Sequence, residues 1–73
     1  MATSLNETSK NLAQNVTSLR KKRSLTQARL AELSGATRAS IALIESGTSN
    51  PTMEVLLKLS RALQVSLDEL LSS

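Results

Sequence analysis

The sequence predicts an all-α domain of five short helices, and three observations carry that prediction. Apolar residues recur at helical spacing through most of the chain, and no run alternates as a half-buried strand would. A Ser or Thr precedes nearly every such run, where a helix needs an acceptor for its first free amides. The chain has 73 residues with no Cys and no His. Disulfides and thiolate or imidazole metal sites therefore cannot substitute for a core, and a locally connected helical fold buries one economically.

The elements follow in order. Residues 1–9 are mostly polar and are read as a flexible N-terminal segment, with residues 10–73 as the domain; Ser4 and Glu7 offer caps for an earlier start. Helix one carries Leu12, Val16 and Leu19 at i, i+4 and i+7. It ends in Arg20, Lys21, Lys22 and Arg23, cations that suit the negative end of a helix dipole. Thr26 then caps helix two, and Leu25 can staple onto Leu30. Helix two runs from Gln27 to Ser34 and stops at Gly35, the residue best suited to a left-handed position past a helix end. Thr37 caps helix three, whose inner positions are Ile41 and Ile44 and which ends before Gly47. After the loop "GTSNP", Thr52 caps helix four with Leu56, Leu59 and Leu63 inside. "VSLDEL" opens helix five with a Ser66 to Glu69 capping box and a Val65 to Leu70 staple.

Two helices too short to be stable alone, joined by a brief turn containing Gly, have the spacing of a helix-turn-helix unit. The same spacing also joins two core helices of a small bundle. The outward side of helix three separates the two. Arg38, Ala39, Ala42, Leu43 and Ser46 fall opposite Thr37, Ile41 and Ile44. A helix decorated only for solubility would show Lys and Glu there; this one shows a single long cation and then short or apolar side chains. Such a face can approach a DNA groove closely. Arg38 can make a bidentate contact to guanine, and Ala39, Ala42 or Leu43 can touch thymine methyl groups. The Ala and Leu positions can equally reflect helix propensity or a protein contact.

Composition narrows the class of partner. The net charge is +3 with a pI near 10.0. Residues 1–44 hold Lys10, Arg20, Lys21, Lys22, Arg23, Arg29 and Arg38 against Glu7 and Glu32, whereas the remainder is slightly acidic. With no aromatic residue to stack on unpaired bases, single-stranded nucleic acid is disfavoured and duplex DNA is not. Without His or Cys, and with carboxylates scattered singly, no catalytic constellation is expected, nor any cofactor or metal. No apolar run is long enough to span a bilayer and no signal-peptide pattern is present, so a cytoplasmic location is expected.

The stretch "LRKKRSLTQARLAELSGATRASIALIESGTSNPTMEVLLKLSRALQVSLDELL" closely resembles the DNA-binding domain of the Cro and phage-repressor type, the XRE family of helix-turn-helix regulators. The match spans about residues 12–71 and rests on Leu25, Gln27, Leu30, Ala31, Gly35, Ile41, Ile44, Glu45, Gly47, Pro51, Leu56 and "VSLDEL" in register. It implies a five-helix λ-repressor-like fold with helix three in the major groove. By position it implies base contacts from Thr37, Arg38, Ala39, Ala42 and Leu43. Backbone contacts would come from Gln27 at a helix start and from Thr48, Ser49 and Asn50, and Arg20 and Glu45 would form a structural ion pair. The sequence departs from the family at Ser24 and Gln64, which stand where Gly is common, at Arg29, which replaces a capping Glu and adds a cation near the DNA side, and at Leu43, which is often polar.

The expected function is a sequence-specific duplex-DNA-binding transcriptional regulator of repressor type. One recognition helix reads only about four or five base pairs, so a homodimer on an inverted repeat is expected. Helix five, with Leu67, Leu70 and Leu71, carries more apolar positions than a short terminal helix needs and is the expected dimer surface. Two other readings stay open: the N-terminal module of a larger ligand-sensing regulator, and a helical protein-interaction module.

Overall fold

The computed structural model describes residues 5–73. Five helices follow in order: α1 (Leu5–Lys22), α2 (Gln27–Ser34), α3 (Arg38–Glu45), α4 (Met53–Leu63) and α5 (Leu67–Leu71). Four of them begin as the hydroxyl residues dictate. The side chains of Thr26, Thr37, Thr52 and Ser66 accept from the amides of Arg29, Ser40, Val55 and Glu69, and Ser66 with Glu69 completes a capping box.

Helix α1 differs from expectation at its start. It includes residues 5–9, which the sequence assigned to a flexible segment, so the boundary moves N-terminally. Glu7 suits the positive end of the dipole, and the Ser9 hydroxyl donates to the Ser49 carbonyl at 3.2 Å, tying this turn to the α3–α4 loop. Residues 1–4, including the candidate cap Ser4, lie outside the described residues.

The core draws on every helix. Leu12 and Val16 from α1, Leu30 and Ala31 from α2, Ile41 and Ile44 from α3, Leu56, Leu59 and Leu63 from α4, and Leu70 from α5 form one cluster. Helix α1 packs on α3 and α5, while α2 packs on α3 and α4. The buried hydroxyls of Ser34 and Ser60 donate within their own helices, to the carbonyls of Ala31 and Leu57. Among the described residues no buried side-chain polar atom lacks a partner.

Helix α5 is clasped against α1. The Asn15 amide donates to the carbonyls of Leu70 (2.8 Å) and Ser72 (2.6 Å), satisfying groups that the end of a helix leaves free. Leu70 itself is fully buried. Its assignment to a dimer surface is therefore corrected: it is the side chain by which this five-residue helix enters its own core. Leu67 and Leu71 are half-buried and pack against the same core.

The two Gly-less turns adopt the geometry glycine would have made easy. Ser24 (φ 56°) and Gln64 (φ 58°) are left-handed. Each sits at the turn of a Schellman-type ending, in which Leu25 N–H reaches Arg20 O at 3.0 Å and Val65 N–H reaches Ser60 O at 3.0 Å. A left-handed side-chain residue costs about 1 kcal/mol, partly offset in the glycine variant by greater freedom of the unfolded chain. Ser24→Gly and Gln64→Gly are each expected to raise the unfolding free energy by about 0.5–1 kcal/mol. Urea titration followed by circular dichroism checks this, and a decrease would show that the side chains contribute more than the strain removes.

Candidate nucleic-acid interface

Helices α2 and α3 are joined through Gly35, Ala36 and Thr37. Gly35 takes φ 77°, ψ 9° and returns its N–H to Ala31 O at 2.9 Å, so the chain reverses direction at once. The Thr37 hydroxyl then accepts from Ser40 N–H and donates to the Ser40 hydroxyl, both at 3.0 Å, which fixes where α3 begins.

Helix α3 divides cleanly into two faces. Ile41 and Ile44 are 0% and 2% exposed, whereas Thr37, Arg38, Ala39, Ala42 and Leu43 are all exposed. Leu43 is 58% exposed, the largest value for a large apolar side chain among the described residues. Arg38 forms no ion pair among the described residues, so its guanidinium is uncommitted at the start of the helix. The outward face thus offers one free fork of donors followed by short and apolar groups, the set needed for close approach to base edges.

The far end of α3 is anchored by a charged hub. Arg20 Nε donates to Glu45 Oε2 at 2.7 Å and its Nη2 to Glu45 Oε1 at 3.0 Å, a bidentate pair. Arg20 Nη1 also donates to Leu25 O at 2.8 Å, and the Gln27 amide donates to Glu45 Oε1 at 3.3 Å. The side chains of Arg20 and Glu45 are only 13% and 8% exposed. The hub therefore joins the end of α1, the turn after it, the start of α2 and the end of α3. Burial pushes the Glu45 carboxyl up. The hydrogen bonds from Arg20, Gln27 and Thr17 and the Arg20 charge together outweigh it and hold the group below its ordinary value. The Glu45 hydrogen bond raises the Arg20 pKa against the opposing effect of burial.

The candidate backbone-contacting groups flank α3. Arg29 is exposed and leans on Glu32 at 3.4 Å, a solvent-screened pair. Thr48 and Asn50 are exposed, Ser49 is half-buried, and the Thr48 hydroxyl pairs with that of Ser46 at 2.8 Å. Gln27 stands in the first turn of α2, where free amides precede any intrahelical acceptor, but its side chain is committed to Glu45. Lys21 and Lys22 at the end of α1 are also exposed.

Sequence reasoning missed the inner partners of this site. Thr17 precedes Arg20 by three residues and so shares its face of α1, which was a usable signal for its place beside Glu45. Asn15 lies three residues after Leu12 and four before Leu19, beside the core stripe, where an amide needs a partner. The reach of Gln27 across to α3 left no trace in local spacing.

Two capped helices set around a glycine turn, one of them with an exposed uncommitted face, define a helix-turn-helix domain of the λ-repressor-like class. The chain belongs to the HTH_3 helix-turn-helix family, whose model matches residues 16–70. Among solved structures it is similar to the restriction-modification controller protein C.AhdI from Aeromonas hydrophila, at 34% identity and TM-score 0.81, covering 85% of this chain and 94% of that one. It is also similar to the DNA-binding domain of the P22 c2 repressor, at 35% identity and TM-score 0.76, over 84% of this chain and 86% of that one. An HTH_3 family transcriptional regulator from Vibrio cholerae aligns at 30% identity and TM-score 0.86 over 92% of this chain, which spans 38% of that regulator's length. No curated protein sequence matches the chain significantly. No described helix is long and apolar enough to cross a membrane.

Proposed function

We propose that this chain is a sequence-specific duplex-DNA-binding transcriptional regulator, of repressor type, that places α3 in the major groove and binds an inverted repeat as a homodimer. The observation that carries this reading is the exposed face of α3, with an unpaired Arg38 ahead of Ala39, Ala42 and Leu43. In it, Arg38 reads guanine and the apolar groups meet thymine methyls, with Thr37 at the groove entrance. Arg29, Thr48, Ser49, Asn50 and the amides at the start of α2 near Gln27 hold the phosphates. The likeness to the DNA-binding domain of the P22 c2 repressor supports both DNA and repression. No cofactor is required.

Selection of binding sites from random duplexes tests the reading, and an inverted repeat with half-sites about one turn apart, ~34–36 Å, is the expected product. Affinity should fall steeply with salt as counterions are released. Binding to a protein with little salt dependence, and no enriched duplex, would instead establish an interaction module. Arg38→Ala is expected to leave the fold intact, relax selection at one base pair of each half-site, and cost ~1–3 kcal/mol there. An unchanged consensus at unchanged affinity would remove Arg38 from the interface.

A second reading has one observation in its favour. The chain spans only 38% of the Vibrio cholerae regulator, so the same domain occurs as a module of a longer chain. In that setting the DNA face is unchanged and a further domain supplies the signal. The gene's reading frame beyond Ser73 decides between the two.

A further inference from the structure

The homodimer reading leaves open which surface the two copies share, and the exposed apolar residues of α4 answer it. Leu67 and Leu71 of α5 are half-buried and already pack against their own core. Met53 and Leu57 are not: they are 57% and 41% exposed and stand outside the core cluster. With Arg61 they form a single row at i, i+4 and i+8 along the outer side of α4. Glu54 lies beside the row at its N-terminal end. It holds Lys58 of its own helix at 3.0 Å, whereas Arg61 at the other end is exposed and makes no ion pair among the described residues.

We propose that this row receives a second copy of the chain, with the two α4 helices antiparallel about a two-fold axis beside Leu57. The proposal rests on the homodimer reading above. Antiparallel pairing sets Leu57 against Leu57, lays Met53 along the Arg61 stem of the other copy, and brings Glu54 of each copy to Arg61 of the other. Parallel pairing would instead align like charges. The complementarity is therefore specific to a two-fold pair of identical chains, the isologous arrangement of most homodimers. The domain measures 36 × 21 × 20 Å, so copies seated on half-sites ~34–36 Å apart come within contact range. One helical row buries far less than the ~1,200 Å² of a standard stable interface. The pair therefore forms on DNA, where neighbouring half-sites supply a high effective concentration.

The absence of native cysteine makes single-cysteine variants clean probes. Leu57→Cys, and Leu33→Cys as a control at an exposed leucine of α2, are bound to the selected palindromic duplex and treated with a short bismaleimide. Leu57→Cys is expected to give the linked pair at least tenfold faster than Leu33→Cys. Adding Arg61→Glu should slow linkage about tenfold, and adding Glu54→Arg as well should restore it, a rescue that only an antiparallel two-fold face predicts. Equal rates for the two cysteine positions, or no rescue by the double charge reversal, overturns the proposal. Sedimentation of the unsubstituted protein on the same duplex separates the two levels of failure. Two chains per palindrome without accelerated linkage reject this face alone, whereas one chain per palindrome rejects the homodimer reading and this proposal with it.

Discussion

Glu45→Ala is expected to lower the unfolding free energy by about 3 kcal/mol, the lower part of the range for removing one partner of a buried pair. The loss is large because Arg20, 13% exposed, would keep its charge and lose a bidentate acceptor. It falls short of the maximum because Arg20 retains its bond to Leu25 O. Arg20→Ala should cost a similar amount, and the double variant clearly less than the sum of the two. Additive effects in that double-mutant cycle would show that the charges do not interact. The pair also sets a pH dependence. Glu45 has a lowered pKa in the folded protein, so between the folded value and the unfolded value of about 4.3 the unfolded chain binds more protons. The pair's stabilisation is complete above that window and is lost as pH falls through it. A midpoint of unfolding that drops on acidification in the parent protein, and drops less in Glu45→Ala, is the expected result.

Ile41→Ala is expected to cost about 3–4 kcal/mol, within the 2–5 kcal/mol typical of emptying a buried aliphatic site. Ile41 is wholly buried and, with Ile44, is the buried attachment of an eight-residue helix that has little stability alone. In a small domain that is a large share of the total stability, so DNA binding should fall in step with the folded fraction. Leu43→Ala, two residues further on and 58% exposed, should change stability by no more than about 0.5 kcal/mol. Its effect should appear in DNA affinity. Without aromatic residues the chain has no intrinsic fluorescence to follow, so backbone circular dichroism in urea is the readout. Comparable stability losses for the two variants would refute the assignment of opposite faces to α3.

Most of the fold was legible because its signals are local. A hydroxyl one residue ahead of a helix and a leucine every three or four residues act within a single turn, and Thr26, Thr37, Thr52 and Ser66 cap their helices as their positions imply. The two faces of α3 were legible for the same reason. What escaped depends on distance across the chain. The start of α1 is tied down by a bond from Ser9 to Ser49, 40 residues away, which no local pattern encodes. The excess of leucines in α5 was visible, but not that Asn15 and the α1 core draw Leu70 inward. Gln27 illustrates the limit at the site itself. Its place at a helix start was clear, and its commitment to Glu45 depends on how α2 meets α3.

The clasp between Asn15 and the end of α5 also gives the domain an order of opening. It closes a separation of 55 residues, while the helix it holds has five residues and one fully buried side chain. An element that short has no stability of its own once it detaches. Amides of α5 should therefore exchange with solvent through a local excursion well below the global unfolding free energy. That excursion uncovers the adjoining side of α1 and leaves α3 packed on α1 and α2, and α2 on α4. The C-terminal end can breathe on its own timescale while the helix pair on the opposite part of the chain keeps its geometry.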